Sequence, residues 1–261
     1  MTDDDFRCHV GSRDDGEPLA GTAPTDSAFL FVEYPGAWGR QAVAESRLPE
    51  AVKGHLDGLS GVRVQLIRRH GGVGGPGVRV FHAVAYGDGF AVRTASLPDA
   101  EALLDLDLER DLTDHDGALW LVCTNGRRDR CCAEIGRPIT AALAARWPEE
   151  TWETTHLGGH RFSGTLLALP SGHTLGRLTT DNVVDACAEI EAGGVPLDLS
   201  RGRAGRSGVD QVRELHVLGG GSPDVEVVEL PGPVLRQSCG DLKLKATTRF
   251  EVVPAPSTTV L

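Results

Sequence analysis

Aromatic residues are scarce in this chain of 261 residues, where Phe, Trp and Tyr together make up 5%. Any core must therefore rest on Val, Leu, Ile and Ala. Because 40% of the residues are hydrophobic, the chain can still form one large domain or two small ones with real cores.

The chain also lacks an excess of positive charge, since its formal net charge is -11. Phosphate backbones favour basic surfaces, so neither nucleic acid nor an anionic membrane face is expected as a partner. No segment approaches the roughly 18 apolar residues that a membrane span needs. The first ten residues contain no apolar region typical of a signal peptide. We therefore expect a cytoplasmic protein whose thiols stay reduced.

Two stretches of the chain repeat one order of predicted elements: strand, helix, strand, loop, hairpin and helix. The first stretch comprises a strand at 28–33, a helix to about residue 58, a strand at 62–67, strands at 78–86 and 89–95, and a helix from Ser96 to about Leu106. The second comprises a strand at 118–123, a helix from about Cys132 to Trp147, a strand near 152–155, a hairpin at 164–179 and a helix from about Asp181. This order is that of a thioredoxin-like unit.

The sequence therefore predicts an α/β protein with tandem thioredoxin-like units and a small C-terminal β-containing appendix. The predicted domains are 1–112, a thioredoxin-like half without ligands; 113–195, the half that carries the chemistry; and 196–261, an extension. This extension begins with a basic connection, "SRGRAGRSG", predicted to be flexible. It is too short to form its own core and should pack on one of the halves.

The distribution of the cysteines is the most informative feature of the sequence. Cys123 ends a predicted core strand, and Cys131 and Cys132 open the following helix. The end of such a strand and the start of the next helix lie close together, where α/β folds place their sites. Adjacent helix residues point about 100° apart, so only one of Cys131 and Cys132 can face the same centre as Cys123. The residues alone leave open which one does.

The motif "HLGGH" at 156–160 supplies two further donors, His156 and His160. Its two glycines each cost about 1 kcal/mol in a helix, so the motif is predicted to be a loop at the same end of the sheet. Two thiolates and two imidazoles fit either zinc or an iron–sulfur cluster. The eight residues between Cys123 and Cys132 favour a wider, two-metal group, with one iron held by cysteines and the other by histidines.

The segments "CTNGRRDRCCAEIGRP" and "HLGGHRFSGTLLALPSGHTLGRL" resemble the sucrase/ferredoxin-like family of thioredoxin-like ferredoxins. So do "EPLAGTAP", "VEYPGAWG", "RGRAGRSG" and "SCGD", and the resemblance covers nearly the whole chain. It departs from the family's pattern at Asn125 and Leu175, where His and Tyr are expected.

The resemblance implies a [2Fe-2S] cluster ligated by Cys123, Cys132, His156 and His160, with Cys131 as a bystander. It implies an iron–sulfur electron-transfer protein whose partner is an unknown redox protein or a small oxidant. Neutral imidazoles in place of two thiolates make electron uptake easier, and their outer ring nitrogens can couple it to pH.

Two alternatives stay open. The first is a thiol–disulfide or peroxide-type oxidoreductase that uses Cys123 with Cys131 or Cys132, and the second is a structural zinc module that binds another protein. No pair of carboxylates is singled out by a motif, so sucrase or other hydrolase activity is not predicted.

The remaining candidate donors receive structural interpretations. Cys187 lies on the apolar face of its predicted helix and is expected in the core. Cys239 in "SCGD" is predicted to be a free thiol in a turn, and Cys8 is given no role. His70 is not predicted to bind metal, and His173 is predicted to lie in a hairpin turn.

Overall fold

The computed structural model describes residues 6–72 and 74–255, which form a mixed α/β fold. No helix among these residues has the length and apolar character needed to cross a membrane. The α-helices are α1 Cys8–Asp14, α2 Glu50–Asp57, α3 Arg130–Arg146, α4 Val183–Glu191 and α5 Gly208–Leu218. The strands are β1 Ala28–Glu33, β2 Arg63–Arg68, β3 Val78–Tyr86, β4 Gly89–Leu97, β5 Thr113–Asp114, β6 Leu119–Cys123, β7 Thr151–Thr154, β8 Leu166–Leu169, β9 His173–Leu175, β10 Ser200–Arg203, β11 Val225–Ser238 and β12 Asp241–Pro254.

Ten strands form one mixed sheet in the order β10-β9-β8-β6-β7-β2-β1-β3-β4-β5. The sheet contains the same arrangement twice, as β2-β1-β3-β4 and as β7-β6-β8-β9. In each, the first strand in the chain pairs in parallel with the second and antiparallel with the third. An antiparallel contact between β2 and β7, at Ile67 with Thr154, joins the two arrangements into one sheet.

Strand β6 lies at the centre of the second arrangement and is buried on both faces. Its Trp120 and Val122 pack with Ile139 and Leu143 of α3. Its alternate residues, including Leu121, enter a cluster that also contains aromatic residues of β1 and β3. Because period-two alternation sends successive side chains to opposite faces, β6 joins both cores.

Most predicted strands are confirmed within a residue or two, including β1 and β6. The predicted helix from Ser96 to Leu106 is wrong. Strand β4 continues to Leu97 because Ser96 still pairs with Arg79 of β3. Only a single 3₁₀ turn, Glu101–Leu104, follows it.

The predicted flexible connection at 200–208 is wrong as well, because its first four residues form strand β10 on the edge of the sheet. Arg201 of this strand is 2% exposed. Its guanidinium donates to the hydroxyl and carbonyl oxygens of Thr22 and to the carbonyl of Gly158, and it lies over the ring of Phe162. Burial lowers its pKa to about 10. A basic residue thus ties the edge of the sheet to the loop at 156–160.

The C-terminal extension contacts elements of the second half of the chain. Strands β11 and β12 form a long antiparallel hairpin, and its turn reaches α3. There the backbone N–H of Cys239 and the hydroxyl of Ser238 each donate to the carboxylate of Asp129, both at 2.9 Å. The carbonyl of Arg236 accepts from the buried guanidinium of Arg161 at 3.1 Å.

His173 makes folding stability depend on pH. It is buried at the start of β9, and its Nδ1 has no hydrogen-bond partner. Burial lowers its pKa from 6.5 to about 4, and the charge of Arg203 adds to the effect. Between these values the unfolded chain takes up a proton that the folded chain excludes, so stability falls as pH falls.

We expect His173→Gln to reduce the loss of unfolding free energy between pH 7 and pH 5 by up to about 2 kcal/mol. Urea denaturation of both proteins at the two pH values measures this difference. An identical loss in the two proteins would show that His173 is not responsible.

Candidate metal centre

Cys123 and Cys132 meet at the end of β6, as predicted. Cys123 is the last residue of that strand, and Cys132 lies in the first turn of α3. Asp129 is the N-cap of α3, where its carboxylate accepts from the backbone N–H of Cys131 at 3.1 Å. An Asp in this position satisfies a free N–H group and fixes where the helix begins. Both thiols are 1% exposed.

Gly136 allows α3 to approach the end of β6 closely. A Cβ atom at this position would lie 2.2 Å from the carbonyl oxygen of Cys123. Since Gly136 is four residues after Cys132, it lies one turn further along the same helix face. Because Gly136 has no side chain, α3 can lie close enough to β6 for the Cys132 thiol to reach the Cys123 thiol.

His156 completes a compact group of three donors with Cys123 and Cys132, whose ligand atoms all lie within 4.8 Å of one another. Its Nδ1 is 3.9 Å from each sulfur. The first half of the chain positions this residue, because Arg63 and Gln65 of β2 donate to its backbone carbonyl at 2.6 and 3.3 Å. The first half of the chain thus contributes to the site.

His160 lies beside His156 and outside this compact group. Its Nδ1 is 3.4 Å from Nε2 of His156, and the ring centroids are 5.2 Å apart. Its Nε2 is buried without a hydrogen-bond partner, 3.9 Å from a carboxylate oxygen of Asp129. Burial and the neighbouring His156 lower the pKa of His160. All four predicted residues lie at one end of the sheet, and three of them form the compact group.

The motif that carries the histidines is a loop, as predicted, and the structure shows that this loop needs its glycines. Gly158 and Gly159 have φ values of 90° and 69°, in the left-handed region that other residues rarely adopt. A Cβ atom on Gly159 would also lie 2.4 Å from a guanidinium nitrogen of Arg201. This loop is therefore shaped by the buried arginine that the sequence analysis assigned to a flexible connection.

The thiols of Cys123 and Cys132 are electrostatically unequal. A hydrogen bond with Cys132 lowers the pKa of Cys123 well below its usual range, with help from His156. The same interaction, together with burial, raises the pKa of Cys132. Cys123 is therefore the thiol of the pair that more readily gives up its proton and can bind a cation as a thiolate.

Cys131 points away from this group, which confirms that only one of the two adjacent cysteines faces Cys123. Its sulfur lies 3.6 Å from that of Cys8 and 3.0 Å from that of Cys239. This association could not be predicted, because no local pattern links residues that are 123 and 108 positions apart. Asp129 was not predicted either, although its helix-capping position next to the cysteine pair was an available signal.

The other candidate donors lie elsewhere. Cys187 is in the core with α3 and α4, where burial raises its pKa to about 12. His70 is partly exposed, with Nδ1 3.4 Å from a carboxylate oxygen of Glu153.

The model of one protein family, described as sucrase/ferredoxin-like, matches residues 19–202 of the chain. No curated protein and no solved structure matches it.

For an alanine at position 136, the close contact with the Cys123 carbonyl and the helix propensity predict opposite effects on stability. Alanine stabilises a helix interior by about 1 kcal/mol relative to glycine. In Gly136→Ala, however, the new methyl group would meet the Cys123 carbonyl, and overpacking of this kind costs about 1–3 kcal/mol. We expect a lower midpoint in thermal or urea unfolding.

Gly54 of α2 supplies the matched control, because a Cβ atom there would have no neighbour within 4 Å. Gly54→Ala should stabilise the protein by about 0.5–1 kcal/mol. Stabilisation by both substitutions would contradict the close approach of α3 to β6.

Proposed function

The chain belongs to the sucrase/ferredoxin-like family, and from this premise we propose that it is an iron–sulfur electron-transfer protein. Its cofactor would be a [2Fe-2S] cluster held by Cys123, Cys132, His156 and His160. The observation that carries this proposal is the buried group of two thiols and one imidazole at the end of β6, with a second imidazole beside it.

The four donors fit such a cluster both in their chemistry and in their positions relative to one another. Thiolate and imidazole bind iron–sulfur clusters and zinc alike. A single zinc ion needs its four ligands around one point, whereas His160 lies against His156 and away from the sulfurs. This spread of the donors supports a wider group.

When bound, the cluster supplies a one-electron redox centre. The residues of the chain hold it and control its surroundings. Cys123 and Cys132 provide negative charge at the N-terminus of α3, where the helix dipole favours thiolates. The two histidines provide neutral donors, which makes electron uptake easier than with four thiolates.

Asp129 and the histidines can couple electron uptake to a proton. A ring nitrogen that does not bind metal can hold a proton or release it. The carboxylate of Asp129, 3.9 Å from Nε2 of His160, favours the protonated ring. Because a positive ring stabilises an added electron, the potential should be higher when the proton is held.

The repeated strand arrangement supports the interpretation of the chain as tandem thioredoxin-like units. Both stretches of the sheet share strand order and direction, and a helix connects the two parallel strands in each. The second unit carries the thiols and histidines. The first unit contributes Arg63 and Gln65, which hold the backbone at His156.

A redox partner or small oxidant would approach His156 through an open cleft. A cavity of about 310 Å³ is lined by His156 together with Arg40, Asn125 and Arg128. Its two arginines suit a partner with an acidic surface or an anionic oxidant. A reducing compartment such as the cytoplasm would keep the thiols available for metal.

A second candidate function is thiol–disulfide exchange by Cys123 and Cys132. The lowered pKa of Cys123 favours it, because a thiolate with a lowered pKa is the attacking group in such chemistry. Metal and sulfide content separates the two functions.

Anaerobically purified protein should contain about two iron atoms and two sulfides per chain. We expect Cys123→Ser and Cys132→Ser to lose most of this iron and the associated visible absorption. Cys187→Ser is the matched control, since Cys187 is equally buried but lies in the core, and it should retain both. Colourless, iron-free wild-type protein would reject the iron–sulfur proposal, and a Cys123–Cys132 disulfide would favour the second function.

The redox potential should fall as pH rises, by up to about 59 mV per pH unit for each coupled proton in a one-electron step. In His160→Cys a donor stays in place but the ring proton is lost, so the slope should become shallower. Spectroscopic redox titration from pH 6 to pH 9 measures both proteins. A flat wild-type profile would contradict the role of the histidines.

A further inference from the structure

Three cysteines that the proposed function does not use come together beside α3. We name Cys8, Cys131, Cys239 and the carboxylate of Asp129 the three-cysteine cluster. They come from α1, from α3 and its N-cap, and from the β11–β12 turn. Their ligand atoms all lie within 4.8 Å of one another. The cluster therefore depends on the fold and not on any local motif.

The three sulfurs form a triangle with one donor beside it. Cys8 lies 3.6 Å from both Cys131 and Cys239, and these two are 3.0 Å apart. A carboxylate oxygen of Asp129 lies 3.5 Å from the sulfur of Cys8. In a tetrahedral zinc site with Zn–S bonds of about 2.3 Å, neighbouring sulfurs are about 3.8 Å apart. To reach that size, the two sides of 3.6 Å would lengthen by about 0.2 Å and the side of 3.0 Å by about 0.8 Å.

The cluster is buried and concentrates negative charge. All three cysteines and Asp129 are at most 4% exposed. A cation at this position would meet four donor atoms that the fold has already removed from water, and its charge would offset that of the buried carboxylate.

We propose that the three-cysteine cluster is a second metal site, which binds one zinc ion through Cys8, Cys131 and Cys239, with Asp129 as the fourth ligand. Soft thiolates with one further donor are typical of structural zinc. A disulfide between Cys131 and Cys239, the closest pair at 3.0 Å, would use only two of the three sulfurs and would leave Cys8 against a carboxylate. Three sulfurs arranged as a triangle suit one central cation better than a single disulfide bond.

Zinc at this position would hold distant parts of the chain together. Cys8 and Cys239 are 231 positions apart, so the ion would close a loop that spans most of the protein. It would also fix the surroundings of the neighbouring redox site, because the sulfur of Cys8 is 3.6 Å from the backbone carbonyl of His160 and Asp129 faces the ring of that residue. The ion would therefore link α1, the start of α3 and the β11–β12 turn beside the histidine loop.

The full chain is expressed in medium that contains iron and zinc, purified anaerobically and analysed for both metals. This measurement tests the zinc proposal separately from the iron–sulfur function. Wild-type protein should hold about one zinc per chain. The Cys123→Ser/Cys132→Ser variant should lose iron and retain zinc. The Cys8→Ser/Cys239→Ser variant should lose zinc. Retention of zinc in the latter variant, or its loss from Cys123→Ser/Cys132→Ser with the fold intact by circular dichroism, would overturn the proposal.

Cobalt provides a second measurement that does not depend on folding of the Cys8→Ser/Cys239→Ser variant. After chelation, the Cys123→Ser/Cys132→Ser variant is titrated with Co²⁺. Tetrahedral visible bands and sulfur-to-cobalt charge transfer should appear at about one equivalent and disappear when zinc is added. Absence of these bands, or a Cys131–Cys239 cross-linked peptide in mass spectra of anaerobic wild-type protein, would overturn the proposal.

The fourth ligand is tested in the same Cys123→Ser/Cys132→Ser background by competition with a zinc chelator. Asp129→Asn retains a side-chain oxygen for the helix cap but loses the charge, and should weaken zinc binding about tenfold or more. His9→Ala is the control, because Nδ1 of His9 lies 3.2 Å from the sulfur of Cys131 without joining the compact cluster. Weaker zinc binding in His9→Ala together with unchanged binding in Asp129→Asn would show that Asp129 is not a ligand.

Discussion

The carboxylate of Asp129 is the interaction on which the site region depends. One side chain caps helix α3, receives the N–H of Cys239 from the β11–β12 turn and faces the ring of His160. It is almost completely buried, so its charge is costly unless these donors surround it. The start of the helix, the position of the C-terminal hairpin and the setting of the histidine loop are therefore coupled through one group.

At this helix terminus, two adjacent cysteines face different surroundings. Residues 131 and 132 lie on different faces of the first turn of α3, so one thiol faces the end of β6 and the other faces Cys8 and the hairpin. The capping carboxylate lies between these directions. The group of Cys123, Cys132 and His156 and the three-cysteine cluster thus share one helix terminus, and a displacement of that terminus would change both.

The sequence predicted the parts of the fold that depend on local pattern. Continuous apolar runs identified β1 and β6, and apolar residues at intervals of four identified α3. The glycines of the histidine motif correctly excluded a helix. Local pattern failed at Ser96, where pairing with β3 overrides a good helix-start signal, and at Arg201, where burial and stacking turn a basic segment into an edge strand. The association of Cys8 with Cys239 was not predictable, since it depends only on tertiary packing.

The junction between β2 and β7 gives the first half of the chain a structural role beside the group formed by Cys123, Cys132 and His156. Pairing with Ile67 and Arg68, and a further hydrogen bond from Thr155 to the carbonyl of Leu66, satisfy backbone groups along one side of β7. If the second unit were excised on its own, this side would become an open sheet edge. Such an edge is a template for strand addition, so the isolated ligand-bearing unit would be prone to self-association. The first unit therefore also protects the second from aggregation.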